Sequence, residues 1–493
     1  MNRIIHVALV VAVVVGGAWA ASPYSAAPPA VQTPAAMTPG ALASAIEQEL
    51  SRRGGVGATV AVVENGRVIL ARGFGRRSLD SPAAVDDDTL FGFGSVTKQF
   101  TAAAALLLAE RGQLSVEDRV AKYYPELTRA SDITILDLMN HVSGYTDYYP
   151  LDFVDRRMLA PIAPDDLLQR YAGSPLDFDP GTRWSYSNTG FVLLGRIVER
   201  ASGQPLGTFF RENIFTPLGM SHTLYEPAAD DARVARGFTS FALAALTRAT
   251  REGPGWVGPA GGIYSTAADV ARWDVALMDG RVLKPGSWKL MSTPRLLANG
   301  RSSNYGCGLS VGTRDNLTVF THGGAVSGFI ARNTFIPQTR SAVVVAINDE
   351  DSPLANAIVD RALAAVMPAK AATLPVTTGP SSAREDRGAV PRVDGPEPGA
   401  KAAALFTSLQ SGALDRGALG AEYSVFATAD KVRAASRALK AFGAPRGVAV
   451  RSVGERGGME VSSVRLTFAA GALDALMYRS PDGKVQEFLL FKP

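Results

Sequence analysis

A chain of 493 residues exceeds what one ordinary hydrophobic core organises, so two or more domains are expected. Hydrophobic residues make up 46% of it and charged residues 19%, which excludes an intrinsically disordered chain and a coiled coil. The 50 basic and 46 acidic side chains nearly cancel at +4, with no basic run or stripe to serve nucleic acid, and a single cysteine, Cys307, excludes an internal disulfide.

Residues 1–20 read as a secretory signal. Arg3 supplies the positive start, residues 4–15 are almost wholly apolar, and Ala18-Trp19-Ala20 forms an A-x-A cleavage site. The apolar run is too short and too early for a stable spanning helix. The mature chain is therefore expected to be periplasmic or secreted, with no stable membrane span once the signal is removed. Residues 21–38, rich in Ala, Pro and Ser, read as a flexible leader.

Residues 39–53 carry an amphipathic helix pattern. Residues 58–64 and 67–74 are β-branched apolar runs joined by Asn65-Gly66, a strong hairpin signal. Phe91-Gly92-Phe93-Gly94 then leads into a helix that opens at Ser95. Val96, Phe100, Ala103 and Leu107 share one of its faces, and residues 102–109 are apolar nearly all round, as in a buried helix that stops near Gly112. Further helices are expected at 134–144, 189–202 and 266–278, strands at 316–322, 328–336 and 341–347, and a closing helix at 353–366. Strands at both ends of a helical middle predict an α+β domain over residues 39–368, its sheet completed by the two chain ends. Residues 369–400, rich in Pro, Gly, Ser and charge without periodicity, read as a linker. Residues 401–493 form a small α+β domain, with helices at 402–409 and 431–442 and strands at 448–453, 461–468, 472–479 and 484–491. It carries no catalytic constellation, so its expected role is packing or the docking of a partner.

Three short motifs carry chemistry. Ser95-Val-Thr-Lys98 is the one Ser-x-x-Lys in the chain and places a hydroxyl and an amine one helical turn apart on the same face. Such a pair activates serine without histidine, and the unpaired N–H groups at a helix start suit a developing oxyanion. Tyr186-Ser-Asn188 is the one Tyr-x-Asn in the chain and follows the turn Asp179-Pro-Gly181. Next to a lysine ammonium the phenol is expected to have a lowered pKa and to shuttle protons, while the Asn188 amide reaches both substrate and Lys98. His322-Gly323-Gly324-Ala325 follows an apolar strand, and its glycines permit close approach of a substrate backbone. The N–H of Ala325 would pair with that of Ser95 as an oxyanion hole.

Other features read as bystanders. Gly308-Leu-Ser310-Val-Gly312 matches a nucleophile elbow, but that elbow needs a helix after the serine and here another strand follows. His141 and Ser143 sit at a helix end and read as structural, Cys307 as a buried apolar residue. The run Tyr145-Thr-Asp-Tyr-Tyr149 reads either as a pocket rim or as a tyrosine-rich surface loop.

Taken in order, the three motifs resemble the β-lactamase-related serine hydrolases, a group that includes class C β-lactamases, D-Ala-D-Ala carboxypeptidases, D-aminopeptidases and esterases of one fold. The likeness also embraces residues 133–144, 178–188 and 217–220, Ala260-Gly-Gly262 with residues 265–269, and Tyr305-Gly-Cys-Gly308, over roughly residues 40–368. It implies an α/β sandwich, an antiparallel sheet flanked by helices beside a helical region, with the site between them. On this sequence it implies Ser95 as nucleophile, Lys98 as its activating partner, Tyr186 as proton shuttle, and Asn188, His322, Gly323, Gly324 and Ala325 as substrate-binding and oxyanion residues. No metal or organic cofactor is implied. Many β-lactam-handling relatives carry Lys-Thr/Ser-Gly as the third motif. Here His322 is neutral at pH 7 if unperturbed and Gly323 has no hydroxyl, so carboxylate capture is expected to be weaker. An ester, D-amino peptide or other amide is thus the expected substrate ahead of a β-lactam. The alternative is a weakly active or inactive protein of this fold that binds cell-wall peptide or a protein partner. The C-terminal domain resembles, in outline, helix-plus-curved-sheet modules of the cystatin or nuclear-transport-factor type.

Overall fold

Helix α1 (Pro39–Arg53) begins and ends on sequence signals: the Thr38 hydroxyl accepts from Ala41 N–H, Pro39 occupies the first turn, and Gly54 closes the helix at φ 72°. The computed structural model describes residues 37–367 and 390–493. The signal, nearly all of the leader and much of the linker expected from the sequence lie outside the described residues.

Strands β1 (Gly57–Glu64) and β2 (Arg67–Ser78) form the expected hairpin, and Asn65 and Gly66 both adopt the positive φ that a tight two-residue turn requires. Strand β3 (Ser81–Ala84) extends it. After the helical middle come β4 (Ser310–Arg314), β5 (Leu317–Val326), β6 (Phe329–Ile336) and β7 (Ser341–Ile347). Among the described residues these strands make one antiparallel sheet in the order β3-β2-β1-β7-β6-β5-β4. The seam is β1 against β7, with Val60 opposite Val345. The first and last parts of this region thus complete one sheet, as the strand–helix–strand order implied.

Both faces of the central strands are covered, and the side-chain alternation explains how. Val60, Val62, Val343, Val345 and Ile347 face α1 and α5 (Ser352–Val366). Ala61, Val63, Val344 and Ala346 face the other way, into a core shared with α2 (Thr97–Glu110), α3 (Asn188–Ser202) and α4 (Ala267–Met278). Fully buried strands read as continuous apolar runs, which is why β1 and β7 were legible without polar alternation. No helix among the described residues is long and apolar enough to cross a membrane.

The expected helix at 134–144 is much shorter, Ile135–Met139. Thr134 caps its start, and His141 turns the chain at φ 58°, ending it early. Strand β5 runs on to Val326, so the His322-Gly323-Gly324 motif lies inside the strand rather than beyond it.

At the C-terminal end, α6 (Pro398–Ser411) and α7 (Ala429–Leu439) pack on an antiparallel meander of β8 (Gly447–Arg456), β9 (Met459–Phe468), β10 (Gly471–Arg479) and β11 (Val485–Phe491). Helix α6 starts inside the stretch read as linker, because Pro398 is well suited to a first helical turn. A short helix, Ala421–Phe426, was not foreseen. This module is fastened to the larger one. Phe153 sits in its apolar core, stacked 4.5 Å from Phe426, and Arg156 pairs with Glu422 at 2.7 Å.

Candidate active site

Ser95 lies in a 3-10 turn, Gly94–Val96, that feeds directly into α2. Gly94 takes φ 48°, and a Cβ there would meet Ala325 N at 2.7 Å. From the opposite side, a Cβ on Gly324 would stand 1.9 Å from Phe93 O and 3.2 Å from Ser95 N. The Ser95 turn and strand β5 are therefore in backbone contact, a closeness that only glycine permits. Gly324→Ala is expected to destabilise the fold by about 3 kcal/mol, because the clash is with a backbone oxygen that no rotamer change can relieve. Urea unfolding checks this, and an unchanged midpoint would contradict it.

Lys98 is fully buried one turn beyond Ser95. Its Nζ lies 3.0 Å from Ser95 Oγ, 2.8 Å from Asn188 Oδ1 and 2.8 Å from the Ala260 carbonyl oxygen. Burial pushes its pKa well below the ordinary 10.5; the charge of Asp147 opposes that shift and the charge of Arg456 adds to it. A neutral amine has two hydrogens and one lone pair. Asn188 Oδ1 and Ala260 O can only accept, so in the neutral form they take the two hydrogens and leave the lone pair facing Ser95 Oγ, whereas the ammonium donates to all three.

Tyr186 is buried, and its ring lies under Lys98 Nζ at 4.7 Å from the centroid. Burial raises its pKa above the ordinary 10, contrary to the sequence-level expectation. Desolvation is the dominant cause and outweighs the opposing charge of Arg456, while the Lys98 amine lies over the ring face. Ser187 caps α3 by accepting from Gly190 N–H at 3.2 Å, which places Tyr186 just outside the helix and Asn188 at its first residue.

His322 is buried on β5. Its Nδ1 donates to the Gly323 carbonyl at 2.6 Å, so in the neutral ring Nε2 accepts from the Tyr305 hydroxyl at 2.8 Å. Burial lowers its pKa to about 3, keeping the ring neutral near pH 7. Gly323 is half-buried beside it and Ala325 is exposed. The structure thus brings Ser95, Lys98, Tyr186 and Asn188 together, with Gly324 and Ala325 against the Ser95 turn and the His322 ring 6.4 Å from that of Tyr186.

Two supporting residues were not identified from sequence. Asp147 Oδ1 accepts from both Asn188 N–H groups, backbone at 3.1 Å and side chain at 3.0 Å, so it fixes the amide orientation that presents Oδ1 to Lys98. His141 accepts from Ser187 N–H through Nδ1 at 3.1 Å, and its ring stacks 4.3 Å from that of Tyr186. It is structural, as expected, but what it supports is the site. Neither stands at a motif spacing; Asp147 lay unremarked within the tyrosine run. That run is not a surface loop: Tyr145 and Tyr148 are buried, with hydroxyls donating to the carbonyls of Thr128 and Trp256, and the carbonyl of half-buried Tyr149 accepts from Asn188 Nδ2 at 3.3 Å. Ser310 is on edge strand β4 opposite Thr321, not on an elbow. Cys307 is buried, and burial pushes its thiol up to about 12, which leaves it inert. Among the described residues no His, Cys, Asp or Glu cluster is arranged to hold a metal ion.

Comparison with known proteins follows this geometry. A Bacillus subtilis (strain 168) protein assigned as a penicillin-binding protein, PbpX, is 28% identical over 299 residues, which are 60% of this chain and 72% of that one. The D-aminopeptidase of Brucella canis is 28% identical over 308 residues, 60% of this chain; the chain spans only 57% of that relative's length. The solved D-amino acid amidase from Ochrobactrum anthropi SV3, complexed with L-phenylalanine amide, is 25% identical with a TM-score of 0.56, covering 66% of this chain and 98% of its own. The octameric penicillin-binding protein homologue from Pyrococcus abyssi shares the fold at a TM-score of 0.59 and 20% identity, over 92% of this chain and 96% of its own. A family model described as Beta-lactamase matches residues 42–367. Because that match runs from the first helix to the last helix around the large sheet and takes in every strand of it, the chain belongs to the Beta-lactamase family and is one of its serine hydrolases.

Proposed function

We propose that the protein is an exported serine hydrolase that cleaves amides, and by the same chemistry esters, of D-amino acids or D-amino peptides through an acyl-enzyme on Ser95. One observation carries this reading. Lys98 Nζ is buried 3.0 Å from Ser95 Oγ and 2.8 Å from both Asn188 Oδ1 and Ala260 O; in the neutral amine, which burial favours, the two oxygens take its hydrogens and its electron pair is left for Ser95. Lys98 takes the hydroxyl proton as Ser95 Oγ attacks the substrate carbonyl carbon. The negative charge that develops on the carbonyl oxygen is met by the N–H groups of Ser95 and Ala325, a contribution worth about 3 kcal/mol per donor in comparable sites. The Tyr186 hydroxyl relays the proton to the departing amine or alcohol. Water then enters, gives up a proton along the same path and releases the acid, regenerating Ser95. Asn188 also binds the substrate amide.

The D-amino substrate class draws support from the D-aminopeptidase and D-amino acid amidase relatives. The third motif argues against β-lactams: a neutral His322 and Gly323 offer a substrate carboxylate neither cation nor hydroxyl. In this reading residues 1–20 direct export, and residues 369–400 tether the C-terminal module of residues 401–493 to the hydrolase domain of residues 39–368. Intact-mass measurement after incubation with a fluorophosphonate probe should give a single adduct. A D-phenylalanine amide should turn over faster than its L isomer, and both faster than a penicillin. No adduct together with no turnover of any of these would refute the proposal.

A further inference from the structure

The hairpin of β8 and β9 ends in the turn Arg456-Gly457-Gly458, and that turn is pressed against the hydrolase site. Gly457 takes φ 56°, and a Cβ on it would lie 2.9 Å from Pro150 Cβ. Glu455 Oε2 accepts from the Ser185 hydroxyl at 3.4 Å, one residue before Tyr186. Arg456 enters between these contacts with a side chain only 11% exposed. Its Nη2 donates to Tyr149 O at 3.1 Å and lies 3.5 Å from Asp147 Oδ2; its guanidinium carbon is 5.6 Å from the Tyr186 ring centroid.

Asp147 explains why a cation is needed there. Its carboxylate is completely buried. Oδ1 accepts from the two Asn188 N–H groups and from Tyr149 N–H, whereas among the described residues Oδ2 accepts no hydrogen bond and lies 3.5 Å from Arg456 Nη2. A buried carboxylate without a counter-charge is costly, and here it would sit one side chain away from Lys98. An uncompensated Asp147 would favour the ammonium form of Lys98, which has no electron pair for Ser95.

We propose that Arg456, delivered by the C-terminal module, is a positioning residue of the hydrolase site: it holds and neutralises Asp147, and so keeps the Asn188 amide on Lys98 and Lys98 free to take the Ser95 proton. The hydrolase domain is then incomplete without the C-terminal module. The inference rests on the reading of Ser95 as nucleophile and Lys98 as its base.

The surrounding groups leave this pair in control. Of the titratable groups near Lys98, His141 and His322 are kept neutral by burial and Tyr186 is held as the phenol. The charges acting on Lys98 are those of Asp147, which favours the ammonium, and Arg456, which disfavours it. Around Arg456 itself stand Asp147, Asp152 with Nη1 to Oδ1 at 3.9 Å, and the Tyr478 hydroxyl at 3.4 Å. Behind Asp152 lie Glu487, which accepts its N–H at 2.9 Å, and Arg332; burial raises both the Asp152 and Glu487 carboxyls.

The test is the rate of Ser95 labelling by a fluorophosphonate as a function of pH, in the full chain. Arg456→Met should move the half-maximal pH upward by about one unit, while labelling well above that pH proceeds at close to the wild-type rate. Arg456→Lys should stay near the wild type, because the charge is kept. Asp147→Asn should move the midpoint downward, and the double variant should return it toward the wild type. Asp147→Asn also reads the coupling should Arg456→Met fail to fold. Unmoved midpoints in either single variant, or a double variant identical to Arg456→Met, would overturn the inference while leaving the nucleophile assignment intact. A wild type that neither labels nor turns over the amides would overturn both.

Discussion

Ser95→Ala is expected to lower turnover of the best amide substrate by about 10,000-fold or more and to abolish the fluorophosphonate adduct. The substitution removes the atom proposed to form the acyl bond but leaves the N–H groups of Ser95 and Ala325 and the Asn188 amide in place. Substrate binding should therefore change far less than turnover, and a small residual rate should persist. The cost to stability should be slight, within about 0.5 kcal/mol, since Ser95 is partly exposed in its turn and its hydroxyl bonds only within the site. A variant that folds as the wild type and keeps full turnover would refute Ser95 as the nucleophile.

Lys98→Met should cost about 1,000-fold or more in turnover, because it removes the amine that lies 3.0 Å from Ser95 Oγ and is proposed to take its proton. The wild-type pH profile should carry an acid limb from the same residue. As pH falls through the depressed pKa of Lys98, the amine becomes an ammonium and kcat/KM falls; the plateau should therefore be reached well below the ordinary lysine value of 10.5. His322, with a pKa of about 3, adds no inflection near neutrality. Stability must follow the same titration. Lys98 is depressed in the folded state, so between the two pKa values the unfolded chain binds the extra proton. Its stabilising contribution is complete above 10.5 and is lost as pH falls towards the folded value. Wild type should gain on Lys98→Met as pH rises from 7 to 10, by at most about 1.4 kcal/mol per pH unit. Urea midpoints of the two proteins at both pH values measure this, and a difference that does not move would contradict the burial argument.

The C-terminal module was read from sequence as a packing or docking element because it carries no catalytic constellation of its own. Its β8–β9 turn nevertheless lies against the site. No local pattern announces that, for Arg456 is a single charged residue at the end of an ordinary strand. Asp147 was hidden for a related reason. A carboxylate flanked by tyrosines looks like surface chemistry until the fold buries Tyr145 and Tyr148 around it.

What the sequence by itself determined was whatever depends on near neighbours along the chain. The Thr38 and Pro39 start and Gly54 stop of α1, the Asn65-Gly66 turn, the buried strands β1 and β7, and the i, i+3 spacing of Ser95 and Lys98 follow from backbone sterics and side-chain period. The tertiary structure alone decided the electrostatics. A sequence places an amine near a phenol without saying which face it meets or how much water remains. Burial, rather than mutual charge, dominates the downward shift of Lys98 and the upward shift of Tyr186, and a carboxylate and a guanidinium from distant segments tune that balance. Solvent exclusion and long-range charge pairing depend on which segments the fold brings together, and no local sequence pattern encodes them.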